Sequence, residues 1–185
     1  MENGASSYRR FLEGDDDSFL EIIKEYKDGL IFYLESFTRN IHTAEDLMED
    51  TFLRLAVKKP RYVETASFKT WLYTVARNVA LDWLRKNQRL GLVPLDEVAN
   101  YLPDEADLER EYLREERKIA LHRAMRKLNP DYAQVLWLSF FEDLPNGEIA
   151  VIMKRTKRQI EKMLYRAKQS LITELNKVGI FCEEL

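Results

Sequence analysis

The residues with the clearest chemical meaning in this chain are cations concentrated in two segments. Residues 51–91 hold 9 Lys/Arg against 2 Asp/Glu, and residues 153–177 hold 8 against 2. Basic segments of this kind are typical of surfaces that bind a polyanion. Acidic segments alternate with them, because residues 1–50 carry a net charge of −8 and residues 95–117 of −6. The pattern favours two separate polyanion-binding surfaces, with an ordinary solvated surface as the alternative.

The second basic segment has the pattern of a helix-turn-helix over residues 144–168. Its inward positions are Ile149, Ala150, Ile152 and Met153 in a first helix, and Ile160, Met163, Leu164, Ala167 and Leu171 in a second. Lys154-Arg155 forms the connection, and Thr156 can cap the second helix. The outward positions of that helix are Lys157, Arg158, Glu161, Lys162, Tyr165, Arg166 and Lys168. Its cations suit the major groove of DNA, and a plain helical hairpin is the alternative.

The first basic segment combines cations with aromatic residues. Ser67 suits the N-cap of a helix with the apolar stripe Phe68, Trp71, Leu72, Val75 and Val79, in which Trp71 is expected to be mostly core. On the outer face, Lys69 and Arg77 can follow a phosphate backbone and an exposed Tyr73 can stack an unpaired base. Asn78 is expected to interrupt this helix and cap another, running from Val79 to Arg89. Solubilising charge is the alternative for its cations, Arg85, Lys86 and Arg89.

Four carboxylates form the remaining cluster, at Glu45, Asp46, Glu49 and Asp50. Carboxylates can hold a divalent cation, but no histidine-bearing ligand set accompanies these, and we expect neither a metal site nor a cofactor. Like charges four residues apart destabilise an isolated helix, and a basic protein partner would relieve that repulsion. The cluster therefore suggests a protein-docking face.

These residues must be positioned by helices, because apolar residues recur every three or four positions and no segment alternates as a strand does. Thr43 and Asp46 suggest a capping box, and Asn129-Pro130 suggests a cap and first helical residue. Val135, Leu136, Leu138 and Phe141 are expected to face inward. Gly91, Pro94 and Pro103 indicate a boundary near residues 88–108. We predict an all-α protein.

The composition of the chain excludes several classes of protein. The chain has 185 residues, of which 45% are apolar and 33% charged, so it is neither low-complexity nor wholly disordered. No apolar run approaches the ~20 residues of a membrane span, and no secretory signal opens the sequence. The lone Cys182 excludes an internal disulfide. We expect a soluble, intracellular chain with one domain of ordinary size or two small ones.

Taken in order, these motifs resemble the extracytoplasmic-function sigma factors of bacterial RNA polymerase over residues 18–175. The resemblance is carried by residues 44–55 (AEDLMEDTFLRL), 67–78 (SFKTWLYTVARN), 80–85 (ALDWLR), 148–150 (EIA) and 164–168 (LYRAK). It implies a promoter-melting domain at 18–89 and a helix-turn-helix domain at 108–176. A linker at 90–107 would join them, with an extension at 1–17 and a tail at 177–185.

The resemblance also implies partners and site residues. The chain would act in the bacterial cytoplasm without being an enzyme. Its partners would be core polymerase, duplex and single-stranded promoter DNA, and an anti-sigma factor. Glu45, Asp46, Glu49, Asp50 and Phe52 would bind the clamp helices of the largest subunit. Lys69, Tyr73, Arg77, Asn78, Arg85 and Lys86 would bind the −10 element, where Asn78 helps to capture a flipped base. Thr156, Lys157, Arg158, Gln159, Lys162 and Arg166 would bind the −35 element. The helix 135–141 would lie next to the surface that docks on the flap of the second-largest subunit.

The second helix of the helix-turn-helix departs from the family's commonest form. Met163 stands where an Arg near the bases is usual, Glu161 replaces a Lys, and Lys154 replaces the Gly of the turn. Two other functions remain as alternatives. A stand-alone helix-turn-helix regulator would explain residues 144–168 only, and a helical Mg²⁺ enzyme would use the carboxylates at 45–50.

Overall fold

The computed structural model describes residues 3–89 and 119–177, and these residues form helices without a strand. A first unit contains α1 (Asn3–Leu12), α2 (Asp16–Thr38), α3 (Ile41–Lys58) and α4 (Phe68–Arg89). A second unit contains α5 (described over 119–127), α6 (Pro130–Leu136), a π-helical turn (Trp137–Phe141), α7 (Asn146–Met153) and α8 (Lys157–Lys177). The all-α prediction is confirmed. None of the described helices is long and apolar enough to cross a membrane.

Side-chain caps set where several helices begin. The Thr70 N–H donates to Ser67 Oγ at 3.2 Å and the Asp131 N–H donates to Asn129 Oδ1 at 2.9 Å, which confirms both predicted caps. The predicted capping box at Thr43 is wrong. α3 begins at Ile41 and its N-cap is Asn40, three residues before Thr43, because the Asn40 side chain accepts the Thr43 N–H at 3.0 Å. The predicted boundary near 88–108 lies mostly outside the described residues.

The first unit has an aromatic core to which α1 contributes. Tyr8 and Phe11 of α1 are buried, and the Tyr8 ring lies 5.6 Å from Phe68 and 5.2 Å from Trp71. The Tyr8 hydroxyl donates to the Pro60 carbonyl oxygen at 2.8 Å. The predicted extension at 1–17, which carries no functional signal in the sequence, therefore supplies part of this core through α1.

The second unit is organised around α7 and α8. Ile149 and Ile152 of α7 pack with Ile160 and Ala167 of α8, and all four side chains are fully buried. Val135, Leu136 and Leu138 face inward as predicted, but Phe141 does not. The π-helical turn rotates Phe141 outward, so its ring is 44% exposed and stacks on Trp137 at 4.3 Å.

The two units contact each other along α2 and α4. Arg126 on α5 forms an ion pair with Glu35 on α2, whose side chain is 8% exposed. The Arg39 guanidinium donates to the Leu128 carbonyl oxygen at 2.6 Å, and the Phe32 ring lies 5.2 Å from Trp137. At the other end of the contact, α7 packs against the beginning of α4.

Candidate nucleic-acid interface

The helix-turn-helix turn is formed by Lys154 in a left-handed conformation. Its φ is 53°, and its N–H bonds back into the last turn of α7. The Arg155 N–H donates to the Ala150 carbonyl oxygen at 3.0 Å, which completes the reversal. A left-handed residue with a Cβ costs about 1–2 kcal/mol, so packing of the two helices must hold Lys154 in place.

α8 begins with a reciprocal capping box. The Gln159 N–H donates to Thr156 Oγ1 at 3.3 Å, and the Thr156 N–H donates to Gln159 Oε1 at 2.8 Å. The predicted cap at Thr156 is confirmed. Gln159, to which the family resemblance gives a role at the −35 element, has its side-chain oxygen engaged in this cap.

The outer surface of α8, which we call the recognition face, is free of the unit core. Its exposed side chains are Lys157, Arg158, Gln159, Glu161, Lys162, Tyr165 and Arg166. Tyr165, which was not among the predicted site residues, is 69% exposed between Lys162 and Arg166. Lys168 is only half-exposed, because its ammonium lies 4.9 Å from the Phe140 ring centroid. The face presents cations in the first turns of the helix, where a groove-binding helix contacts base edges.

α4 carries the second group of cations, and it differs from the prediction in two ways. It is one continuous helix, so Asn78 neither interrupts it nor caps another helix. Asn78 is exposed in mid-helix, where its side chain meets no packing conflict. Arg85 and Lys86 are exposed near the end of the same helix, with Arg85 3.0 Å from Asp82.

Tyr73 is not exposed, contrary to the prediction. Its side chain is fully buried, 5.2 Å from the Tyr33 ring and beside the Glu142 carboxylate of the second unit. Burial, and then the charge of Glu142, raise the pKa of Tyr73 well above its usual value. Lys69, Tyr73 and Arg77 do not form an exposed face of α4, because this helix is covered on two sides, by α2 and by the second unit.

The rest of that stripe is also partly covered. Lys69 is 30% exposed and forms an ion pair with Glu142 at 2.8 Å. Arg77 is half-buried, with its guanidinium 5.9 Å from the Phe37 ring centroid. Trp71 is half-buried between Tyr8 and Tyr62, which agrees with its expected core role.

The acidic cluster lies on a free surface of α3. Asp46, Glu49 and Asp50 are exposed and form no ion pair with the other described residues, whereas Glu45 is half-buried and bonds to His42 at 3.2 Å. Within the described ranges, no set of three or more His, Cys, Asp or Glu side chains is arranged to hold a metal ion.

Phe52 does not belong to that surface. It is 5% exposed and meets Phe19 edge-on at 6.1 Å, so the prediction that it contacts a partner is corrected to a core role. Leu53 and Val57, which are 58% and 72% exposed, extend the acidic surface instead. Glu49, Leu53 and Val57 follow one another at intervals of four residues, and this helical spacing is a signal in the sequence. We call Asp46, Glu49, Asp50, Leu53 and Val57 the α3 face.

Fold and surfaces together define an all-helical protein with a helix-turn-helix and a separate exposed face on α3 that is acidic and apolar. Residues 22–90 match the family Sigma-70 region 2, and residues 118–171 match Sigma-70, region 4. The chain is 30% identical to the RNA polymerase sigma factor CarQ of Myxococcus xanthus, over 77% of this chain and 80% of that one. It is 28% identical to the ECF RNA polymerase sigma factor SigM of Bacillus subtilis, over 82% and 91%.

The fold is similar to that of two solved structures. One is the sigma factor RpoE from Bartonella quintana in complex with the anti-sigma factor NepR, with a TM-score of 0.67, 21% identity and 85% and 96% of the two chains covered. The other is CnrH in complex with the cytosolic domain of CnrY, with a TM-score of 0.62, 17% identity and 95% and 96% covered. The chain belongs to the extracytoplasmic-function sigma factors of the sigma-70 family, and it is an RNA polymerase sigma factor.

Proposed function

We propose that this sigma factor divides its contacts among three surfaces. The α3 face, together with the neighbouring Glu45, binds the clamp helices of the largest polymerase subunit. α4 binds and opens the −10 element, and the recognition face of α8 binds the −35 element. Residues 18–89 and 108–176 act as the two domains, joined by a linker at 90–107 that lies outside the described residues.

The −35 contacts are supported by the exposure of the recognition face. Arg158 and Lys162 lie on successive turns of an exposed face near the beginning of α8, a placement that suits base edges. Lys157 and Arg166 lie to either side and suit phosphates, which fix the register of the helix on the duplex. Thr156 Oγ1 and Gln159 Oε1 both act as acceptors in the cap, so the Thr156 hydroxyl can still donate to a phosphate and the Gln159 NH2 group to a base edge.

The −10 contacts are assigned to Lys69, Tyr73, Arg77, Asn78, Arg85 and Lys86. Asn78, Arg85 and Lys86 are exposed and can follow a strand backbone directly. Lys69 and Tyr73 are covered by the second unit, so their part in holding an unpaired base requires that unit to move. DNA opening needs no catalytic group, because contacts to the separated strand offset the cost of unstacking. We therefore propose no enzymatic activity.

Further partners follow from the same assignment. The surface beside residues 135–141 would meet the flap of the second-largest subunit. The two solved structures of similar fold contain the anti-sigma factor NepR and the cytosolic domain of CnrY, and we propose a regulator of the anti-sigma class here. All of these contacts would be made in the cytoplasm.

The observation that carries the proposal is the α3 face. Three carboxylates without a described ionic partner lie next to two exposed aliphatic side chains, an arrangement that suits a basic, partly apolar protein surface. A regulator that acted on DNA alone would have no use for this face.

Asp50→Arg tests it. A charge reversal in the centre of the face should cost at least tenfold in affinity for core polymerase, because the new cation would meet basic residues on the partner. Co-purification and run-off transcription with core polymerase measure the loss, and circular dichroism checks the fold. Glu13→Arg makes the same charge change at an exposed site outside α3 and should behave as wild type. Undiminished co-purification of Asp50→Arg would refute the assignment.

A further inference from the structure

Two carboxylates of the second unit occupy the beginning of α4. Glu148 on α7 accepts a hydrogen bond from Ser67 Oγ at 2.5 Å and another from Thr70 Oγ1. Lys69 Nζ lies 2.8 Å from Glu142 Oε2 and donates to the Glu142 backbone oxygen at 3.0 Å. The second unit therefore bonds to three polar residues at this end of α4: Ser67, Lys69 and Thr70.

Glu142 is itself held in position. The Trp137 indole N–H donates to Glu142 Oε1 at 3.1 Å, and the Glu142 side chain is only 10% exposed. Gly29 on α2 leaves the space that this carboxylate fills, because a Cβ there would overlap both Glu142 Oε1 and the Tyr73 hydroxyl. Such a contact combines an ion pair, an oriented carboxylate and a missing side chain, and it is more specific than a chance surface encounter.

The contact covers one functional surface and leaves two open. Lys69 and Tyr73 are covered, whereas Asp50 on the α3 face and Arg158 and Lys162 on the recognition face are exposed. A carboxylate resembles a DNA phosphate in charge and in its acceptor oxygens, so Glu142 and a promoter phosphate compete for the Lys69 ammonium.

We infer that the second unit inhibits the first one within the same chain. Glu142 and Glu148 close the α4 surface at Lys69 and Tyr73, and the closed chain keeps its polymerase-binding and −35 surfaces available. This inference rests on the −10 assignment proposed above. The affinity of the free chain for single-stranded DNA is then reduced by the fraction of molecules that are closed. Core polymerase can bind the α3 face first, and the free energy of that binding can open the units.

The test measures opening and DNA binding separately on the full-length chain. Spin labels at Lys27→Cys and Gln169→Cys, exposed positions on the two units, report their separation in a Cys182→Ser background. Glu142→Gln/Glu148→Gln removes both carboxylate charges. Glu13→Gln/Asp17→Asn removes two exposed charges away from this contact and serves as the matched control. Gly29→Ala displaces the Glu142 carboxylate without any change of charge.

Wild type and control should give one short, narrow distance distribution, and both opening variants a longer and broader one. Affinity for a mixed-sequence single-stranded DNA oligonucleotide, measured by fluorescence anisotropy, should rise about fivefold or more in the opening variants only. Unchanged distances in both variants, or an already open wild type, would overturn the inference. Opening without a gain in DNA affinity would also overturn it.

Failure of the proposed function has a different signature. In that case the wild-type chain would start no transcript with core polymerase, whatever the spin-label distances show. A chain that transcribes but does not open in the two variants refutes only the inhibition.

Discussion

At the scale of single residues, Tyr73 shows how an outer position can become a core position. Its i, i+4 spacing from Lys69 and Arg77 is that of a solvent stripe, yet its side chain is fully buried. The cause is a second layer, since Tyr33 on α2 and Glu142 of the second unit both lie against it. Helical periodicity identifies one buried face, but it does not say whether the opposite face is also covered.

Tyr73→Ala should therefore lower the free energy of unfolding by about 3–5 kcal/mol, as for other buried aromatic side chains. Tyr73→Phe keeps the ring and should change it by no more than about 1 kcal/mol. Urea denaturation followed by circular dichroism measures both. Equal stability of Tyr73→Ala and wild type would mean that the ring is not part of the core.

At the scale of helices, α1 is the element that the sequence did not reveal. It is short, and its apolar residues are few, so its pattern resembles that of many polar segments. It is stabilised by contacts far along the chain, above all the rings of Phe68 and Trp71 around Tyr8. The turn before α8 was predictable by contrast, because the Thr156 cap and the apolar stripes are local signals.

Gly4 tests how closely α1 approaches the core. A Cβ at this position would lie 2.5 Å from Phe68 Cδ1 and 2.7 Å from Tyr26 Oη. We expect Gly4→Ala to lower the free energy of unfolding by about 1–3 kcal/mol through overpacking.

Gly147→Ala is the control for this substitution. A Cβ at Gly147 has no neighbour within 4 Å, so the change should be neutral or should stabilise α7 by up to about 1 kcal/mol. Thermal or urea unfolding compares the two variants. Stabilisation by Gly4→Ala would show that α1 does not pack as described.

At the scale of the whole molecule, the two units meet through polar contacts at one end and an aromatic cluster at the other. His122 lies in the cluster, with its ring 5.0 Å from Phe32 and 6.3 Å from Trp137. Burial lowers the pKa of His122, Glu35 opposes this effect and Arg126 adds to it. Protonation of His122 thus weakens the packing between the units.

The lowered pKa of His122 determines how the stability of the protein changes with pH. Because the folded pKa lies below the unfolded value of 6.5, the unfolded chain takes up the proton first. The contribution of His122 to the free energy of unfolding is complete above pH 6.5. It is lost as the pH falls through the pKa of His122 in the folded chain.

We expect the free energy of unfolding to decrease between about pH 7 and pH 5, and His122→Phe to flatten that decrease. Urea denaturation across this range measures it. His42→Phe, at an exposed site on α3, is the control. A slope that is the same in His122→Phe and wild type would exclude His122 as its source.

The sequence alone determined the helical class, the caps at Ser67, Asn129 and Thr156, and the inward and outward faces of α8. These features depend on residues within a few positions of each other, so their signals are local. Only the tertiary structure decided that Phe52 and Tyr73 are buried, that α1 joins the core, and that Glu142 and Glu148 lie on α4. Burial depends on which distant segment packs against a helix face. The hydrophobic periodicity of that helix does not indicate which segment this is.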